Sequence, residues 1–407
     1  IYPQSTYVFK HALTQDVAYD SLLLKRRKEI HEKIGEVIEA INSNRLEEYC
    51  ELLAYHYGRS ANTDKAVMYL DLANQKAIKL NAMEEAKTYF DDAMALLDTM
   101  PETEENQHWR ISMLVNQVVV FRLLFKSPEY FDLLTRYEKM ANELGKTELL
   151  GALYANLGDC EFMFGQYNQA IKTLTKAAKL CEVAGNMEEA GHAYAYLQLS
   201  HLYKGNFAQV IELKKDLFRT MEHRPNLRWY VRGLSAMSRA YSCLGYWDEA
   251  IKEGKNALGI AEKYSDKSQI SFSAWTLSVA YSFQGDLLQA VEYGELAVQK
   301  APPGGEKAWA QRYHGWALCR SGDLNRGIEL LTAGLSLSKA GHWMPGVIPT
   351  ICALGEAYLL SSEYEKAKRT LEEGLEISER CGAKYFIGFA YRLLGEISLK
   401  NNPSSAP

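Results

Sequence analysis

The sequence predicts an all-α fold, a right-handed superhelix (α-solenoid) of about eight helix pairs, on three observations. A small turn residue returns at a near-constant interval: Gly165, Gly205, Gly245, Gly285, Gly322 and Ser362, separated by 40, 40, 40, 37 and 40 residues. A small residue stands five positions after most of these turns, at Ala170, Val210, Ala250, Ala290, Gly327 and Ala367. Seven positions further on comes another, at Ala177, Ala257, Ala297, Gly334 and Gly374, with Leu217 as the exception. At helical spacing the two small positions share a face, so paired helices can approach closely there. Glycine takes positive φ without steric cost and can reverse the chain between the helices. Two residues after each turn stands Tyr167, Phe207, Trp247, Leu287, Leu324 or Tyr364. Each is large enough to plug the gap between the paired helices.

In chain order, 1–45 reads as a strand-like phrase followed by a basic helix, and 46–100 as the first helical repeats, with Ala86 and Ala93 at small positions. Residues 101–147 keep the repeat length but put Tyr130 and Tyr137 at those positions, which marks a degenerate repeat. "PETEENQ" at 101–107 and "APPGG" at 301–305 are long inter-repeat loops. The array proper runs over 148–399, where "GFAYRLLGEISLK" is a lone first helix that caps the stack. Residues 400–407 are expected to be a disordered tail. The pattern over 148–399 resembles the tetratricopeptide repeat (TPR) family, whose period is about 34 residues. The longer period here implies extended helices or inter-repeat loops.

Residues 1–99 carry a second resemblance. Phe9, His11, Tyr19, Arg27, His31, Leu53, Ala54, His56 and Tyr57 match a phrase seen in large bacterial signalling proteins. Those proteins join a class III adenylate/guanylate cyclase, or another output domain, to a STAND-type AAA ATPase and then to a TPR array. The resemblance implies that 1–45 holds a winged-helix remnant and a linker helix, and that the chain is a C-terminal part of such a protein. It also implies that His11 senses a nucleotide diphosphate held by the ATPase. Without the resemblance, His11 reads as a hydrogen-bonded, partly buried imidazole.

Composition excludes several classes. Net charge is −5, from 46 basic and 51 acidic residues, so no global attraction to nucleic acid is expected. "KRRK" at 25–28 reads as a solvated helix face in preference to a phosphate contact. Seven scattered cysteines without a C-x-x-C pair read as reduced thiols in a cytoplasmic protein. The most apolar run, "LVNQVVVFRLLF", is too short to span a bilayer. No phosphate loop, metal-ligand spacing or nucleophile motif is present, so neither catalysis nor a cofactor is expected of this chain.

Function is expected on the concave face. In the TPR register, residues two, three, six, ten and thirteen before the turn glycine face inward. This assigns Arg232, Ser235, Arg239, Ser242 and Cys243 to one repeat, and Phe272, Trp275, Val279, Ser282 and Phe283 to the next. Trp309, Arg312, Trp316, Cys319 and Arg320 follow, with His192, Leu199 and Tyr203 at one end and Glu356 and Arg392 at the other. Arginine and large aromatics are the types that anchor interfaces. The expected role is a sensor that binds an acidic, aromatic-bearing protein or peptide segment and regulates an N-terminal ATPase or cyclase. The alternative is a small-molecule effector receptor, as in some STAND-type regulators; a closed, mostly apolar cavity would favour it.

Overall fold

The structure, a computed structural model, describes residues 17, 19–220 and 227–401. Phe9, His11 and the strand-like phrase of the winged-helix expectation lie outside the described residues, as does the tail from 402 on. Every regular element among the described residues is helical. The chain divides into two compact units, Ile1–Val120 and Phe121–Pro407.

The first unit holds α1 (Leu24–Ile41), α2 (Cys50–Tyr57), α3 (Thr63–Lys79), α4 (Met83–Thr99) and α5 (Glu104–Val115). Helix α3 starts at Asn62, whose side chain accepts from the Lys65 N–H, as an N-cap should. Ala86 and Ala93 are fully buried. Gly35 lies under the Tyr57 ring, where a Cβ would come within 2.7 Å of Cζ. Tyr57 stacks on Tyr69 with centroids 5.5 Å apart. Glu39 ties α1 to α3 by accepting from Lys65 Nζ and Tyr69 Oη, both at 2.6 Å. The basic cluster is solvated, with Arg26 paired to Glu29 at 2.9 Å and Arg27 to Asp20 at 3.0 Å.

Helix α6 (Val118–Leu123) precedes α7 (Ser127–Leu144), after which the second unit settles into pairs. First helices are α8 (Thr147–Met163), α10 (Met187–Tyr203), α13 (Leu227–Leu244), α15 (Lys267–Gln284), α17 (Gly305–Ser321) and α19 (Met344–Leu360). Second helices are α9 (Tyr167–Ala184), the broken α11 (Phe207–Glu212) and α12 (Lys214–Thr220), α14 (Trp247–Lys263), α16 (Leu287–Lys300), α18 (Leu324–Ala340) and α20 (Tyr364–Cys381). Helix α21 (Lys384–Asn401) closes the array. All six predicted turn residues have positive φ, from +62° at Ser362 to +103° at Gly322. Where Asp286 or Asp323 follows the glycine, its carboxylate caps the next helix.

The small positions behave as packing requires. Ala170, Val210, Ala250, Ala290 and Ala367 are fully buried. A Cβ on Gly327 would sit 2.7 Å from the Gly315 carbonyl, so only glycine lets α17 and α18 meet. Leu217 is buried as well; the small residue has moved to the facing helix, where a Cβ on Gly233 would lie 3.2 Å from Leu217 Cγ. The plug expectation needs correction: Tyr167 is buried, but Trp247 is 42% exposed.

The superhelix of the second unit closes on itself. Tyr203 of α10 donates from Oη to the Pro345 carbonyl of α19 at 2.7 Å. Its ring lies 5.3 Å from Phe386 of α21, and Phe207 meets Tyr385 at 5.8 Å. Gly165 abuts Cys381 and Met344, with a Cβ there only 2.7 Å from the sulfur. Residues far apart in sequence thus seal the inner face. First helices are accordingly buried on every side: 151–163 of α8 and 190–200 of α10 lie wholly inside. Second helices keep a solvated outer face.

Candidate ligand-binding site in the superhelix lumen

The eight predicted groove residues all lie on first helices, and six of them, all but Arg232 and Arg320, line one or both of two adjoining cavities. Arg232, Arg239, Phe272, Trp275, Trp309, Arg312 and Trp316 are all buried, and Arg320 is partly buried. The face is a lumen, not an open groove. Its larger cavity, of about 50 Å³, lies between α10, α13, α15, α17, α19 and α21. A smaller neighbouring cavity, of about 10 Å³, shares two of its residues, Arg239 and Arg312. Closure has a physical reason beyond the ring contacts: these first helices lack a charged outer stripe, and a helix apolar or small all round must be covered on every side.

Aromatic faces line most of the lumen. Trp275 stacks on Tyr313, with centroids 4.5 Å apart and planes 14° from parallel. Phe272 packs edge-on to Trp275 at 4.6 Å and to Trp309 at 5.8 Å. Phe283 meets Trp316 at 5.7 Å. The Trp316 indole donates to Glu356 at 2.6 Å, and Arg320 lies over its ring while donating to the Ser282 carbonyl at 2.8 Å. Arg392 pairs with Glu356 at 3.9 Å.

The arginines fall into two kinds. Arg232 pairs with Glu306 at 3.1 Å, and Ser268 donates to the same carboxylate at 2.6 Å. Arg122 of α6 pairs with Asp159 of α8, which also receives His192 Nε2 at 3.2 Å. His192 stacks on Trp229 at 4.3 Å and reaches Glu189 through Nδ1 at 3.1 Å. Burial pulls the His192 imidazole down, but Asp159 and Glu189 outweigh it and leave its pKa raised. Burial likewise pushes Asp159 up, yet Arg122 and His192 hold it low.

Arg239 and Arg312 differ. Among the described residues, no carboxylate pairs with either. Arg239 is 7% exposed, hydrogen-bonded to Tyr203 and set between the rings of Tyr203 and Trp275, at 5.6 and 5.5 Å. Arg312, 2% exposed, lies 4.1 Å from the Tyr313 centroid and donates from Nη1 to the Pro345 carbonyl at 2.9 Å. Its Nε has no partner. The groups that might neutralise Arg239 stay protonated: burial raises the Tyr203 phenol and pushes the Cys243 thiol up to about 11.

One residue organises this region and was not singled out from sequence. Pro349 sits inside α19. Having no N–H, it leaves the carbonyl four residues back without its helical donor. That carbonyl belongs to Pro345, and it accepts instead from Tyr203 and Arg312. A proline within the apolar run "MPGVIPTICALG" was the available signal. Asp159 and Glu306 were also missed; a lone aspartate in "LYANLGDCEFM" was the clue there. His11, the nucleotide-sensing candidate, lies outside the described residues. No cluster of potential metal ligands exists among the described residues, nor a helix long and apolar enough to cross a membrane.

No family model matches this chain, and no curated protein matches it. Solved structures do. A Rap protein complexed with Competence and Sporulation Factor matches 82% of this chain and 98% of its own, at 15% identity and a TM-score of 0.55. The apo form of the quorum sensor NprR from B. thuringiensis matches 90% of this chain and 99% of its own, at 13% identity and a TM-score of 0.58. At such identities the likeness shows the fold: the chain is a TPR-like helical solenoid.

Proposed function

We propose that this chain is a non-catalytic sensor module that binds a compact ligand in the lumen of its second unit and relays that state to a regulatory partner. The observation that carries this is the placement of six of the predicted inner-face aromatics and arginines around two adjoining cavities that share Arg239 and Arg312. Because closure depends on contacts such as Tyr203 to Pro345, a ligand in the lumen interacts differently with closed and opened forms. That difference is what lets a ligand shift a conformational equilibrium. The resemblance of the head points to an N-terminal ATPase or nucleotide cyclase as the partner. Similarity to a quorum sensor and to a protein solved with Competence and Sporulation Factor supports a sensor role.

The volume bears on both ligand classes. About 50 Å³ is well below the span of small-molecule pockets, about 300–1,000 Å³. A small effector, or the end of a peptide, requires the lumen to widen locally; a longer acidic, aromatic-bearing segment in a groove requires the ring to open. Tryptophan fluorescence and small-angle scattering, recorded while size-fractionated metabolites and peptides are added to the purified chain, test this. A small-molecule hit abolished by Trp275→Ala or Trp316→Phe supports the lumen. Binding only by long peptides with expansion of the particle supports the open-groove form. A hit indifferent to both substitutions overturns the lumen as the site. Calorimetry with ATP is expected to show no binding, since no phosphate loop is present.

A further inference from the structure

Ligand chemistry can be read from the two arginines that, among the described residues, lack a carboxylate partner. We propose that Arg239 and Arg312 form an anion seat that takes the carboxylate of a ligand whose remaining body is apolar or aromatic. This rests on the lumen being the binding site.

Buried charges are ordinarily paired, because leaving water is costly for an ion without a counter-ion. The same inner face obeys that rule elsewhere: Arg232 has Glu306 and Arg122 has Asp159. Arg239 and Arg312, on neighbouring parts of the face, have none. Both are more than nine-tenths buried, and both line the two cavities. Arg312 is held by one nitrogen to a carbonyl while its Nε stays unpaired, so donors remain for a guest. A guanidinium presents a planar fork that matches a carboxylate in geometry.

The rest of the lining narrows the class. No lysine, serine or threonine lines the larger cavity, and beyond the two arginines the hydroxyl donors on its wall are those of Tyr313 and Tyr385, fewer than the surplus oxygens of a phosphate call for. A flat carboxylate is satisfied by two forks. Trp316, Tyr313, Phe386 and Phe389 then offer faces to an apolar body beside it. A free small acid and the C-terminal carboxylate of a short peptide share this chemistry.

The experiment uses the purified chain with aryl-alkyl carboxylates, each paired with its primary amide. Short peptides ending in free or amidated aromatic residues, and aryl phosphates, complete the set. Thermal shift and calorimetry read binding. Carboxylates are expected to bind and to raise Tm, with their amides weaker by about tenfold or more, the loss of roughly one charge-assisted hydrogen bond. Arg239→Met and Arg312→Lys should remove that preference. Success confined to small acids or to free-ended peptides identifies the source. Equal binding of acid and amide, lost in Trp275→Ala, leaves the lumen standing and overturns the seat. Binding untouched by every lumen substitution overturns both. Failure of all carboxylates, or binding of aryl phosphates in their place, also overturns the carboxylate assignment. The acid–amide comparison uses the unaltered chain, so it stands even if a variant does not fold.

Discussion

Two stretches of the same inner face treat buried arginine differently. Around Asp159 and Glu306 the guanidinium groups of Arg122 and Arg232 each have a carboxylate, although Asp159 Oδ1 and Arg232 Nε stay without a hydrogen-bond partner. Around Pro345 the guanidinium groups meet only aromatic rings, a phenol and backbone carbonyls. The first arrangement is a closed electrostatic unit that holds helices together. The second leaves positive charge without a carboxylate in a buried space. The difference separates scaffold from site without any appeal to conservation.

The largest expected effect breaks the paired stretch. Asp159→Ala removes the shared partner of Arg122 and His192 and leaves both buried without it. Removing one member of a buried pair typically destabilises by about 3–5 kcal/mol. Urea unfolding followed by tryptophan fluorescence should show a loss of that order. A change below about 1 kcal/mol would mean the pair behaves as a surface one, and the contrast with Arg239 would lapse.

The next effect tests the contacts that close the inner face. Gly165 and Gly245 both sit at repeat turns with φ near +80°, at +78° and +82°. Nothing lies within 4 Å of a Cβ on Gly245. Gly245→Ala should therefore lose only the backbone preference, about 1 kcal/mol. On Gly165 the Cβ would also meet Cys381 at 2.7 Å and Met344 at 3.1 Å. Gly165→Ala should lose a further 1–3 kcal/mol or so from overpacking. Hydrogen exchange should then rise in 384–401 for Gly165→Ala and not for Gly245→Ala. Equal effects at the two sites would mean that closure contributes nothing.

Much of this was legible in sequence. The forty-residue beat located the turns and small positions, because helix pairing leaves a local signature at fixed offsets. Arg239, Trp275, Arg312 and Trp316, named from the inward register, lie on first helices and line the two adjoining cavities. Closure was not legible, since it accumulates from small rotations over many repeats and leaves no short motif. Its trace is indirect, in first helices such as "SFSAWTLSVAYS" with no charged stripe. Pairings such as Arg232 with Glu306 join residues two repeats apart, where nothing in the local pattern links them. Pro349 was visible, but its effect appears only once the partner for the freed carbonyl is known.

A smaller effect distinguishes paired histidine from unpaired histidine by pH. His192 has a raised pKa in the folded state, so its contribution is full below about pH 6.5 and fades as pH rises through its folded value. In the first unit, His31 and His56 face one another, Nδ1 to Nδ1, at 2.9 Å. Burial first, then Arg59, lowers His31; burial, His31 and Arg59 lower His56. A lowered histidine resists protonation in the fold, so stability there is lost as pH falls below about 6.5. Hydrogen exchange at mildly acidic and mildly alkaline pH should loosen 24–57 on the acid side and 187–203 on the alkaline side. The same direction in both segments would remove the distinction.

The smallest effect is the sharpest. If Arg239 awaits an anion, the ligand-free fold carries it at a disadvantage, because its charge is desolvated without a carboxylate in return. Replacing such a group by an apolar one of similar length is often neutral or stabilising. Arg239→Met keeps the packing between Tyr203 and Trp275 and gives up one hydrogen bond and two ring contacts. The hydrogen bond contributes about 1 kcal/mol net. Release of the buried charge offsets that loss. Urea melts of the ligand-free chain should therefore place Arg239→Met within about 0.5 kcal/mol of the parent, or above it, like an ordinary neutral change. Arg232→Met, which strips Glu306 of its partner, should fall well below. A loss at Arg239 as large as that at Arg232 would show that rings and phenol suffice to hold the charge. The unpaired stretch would then be scaffold like the other.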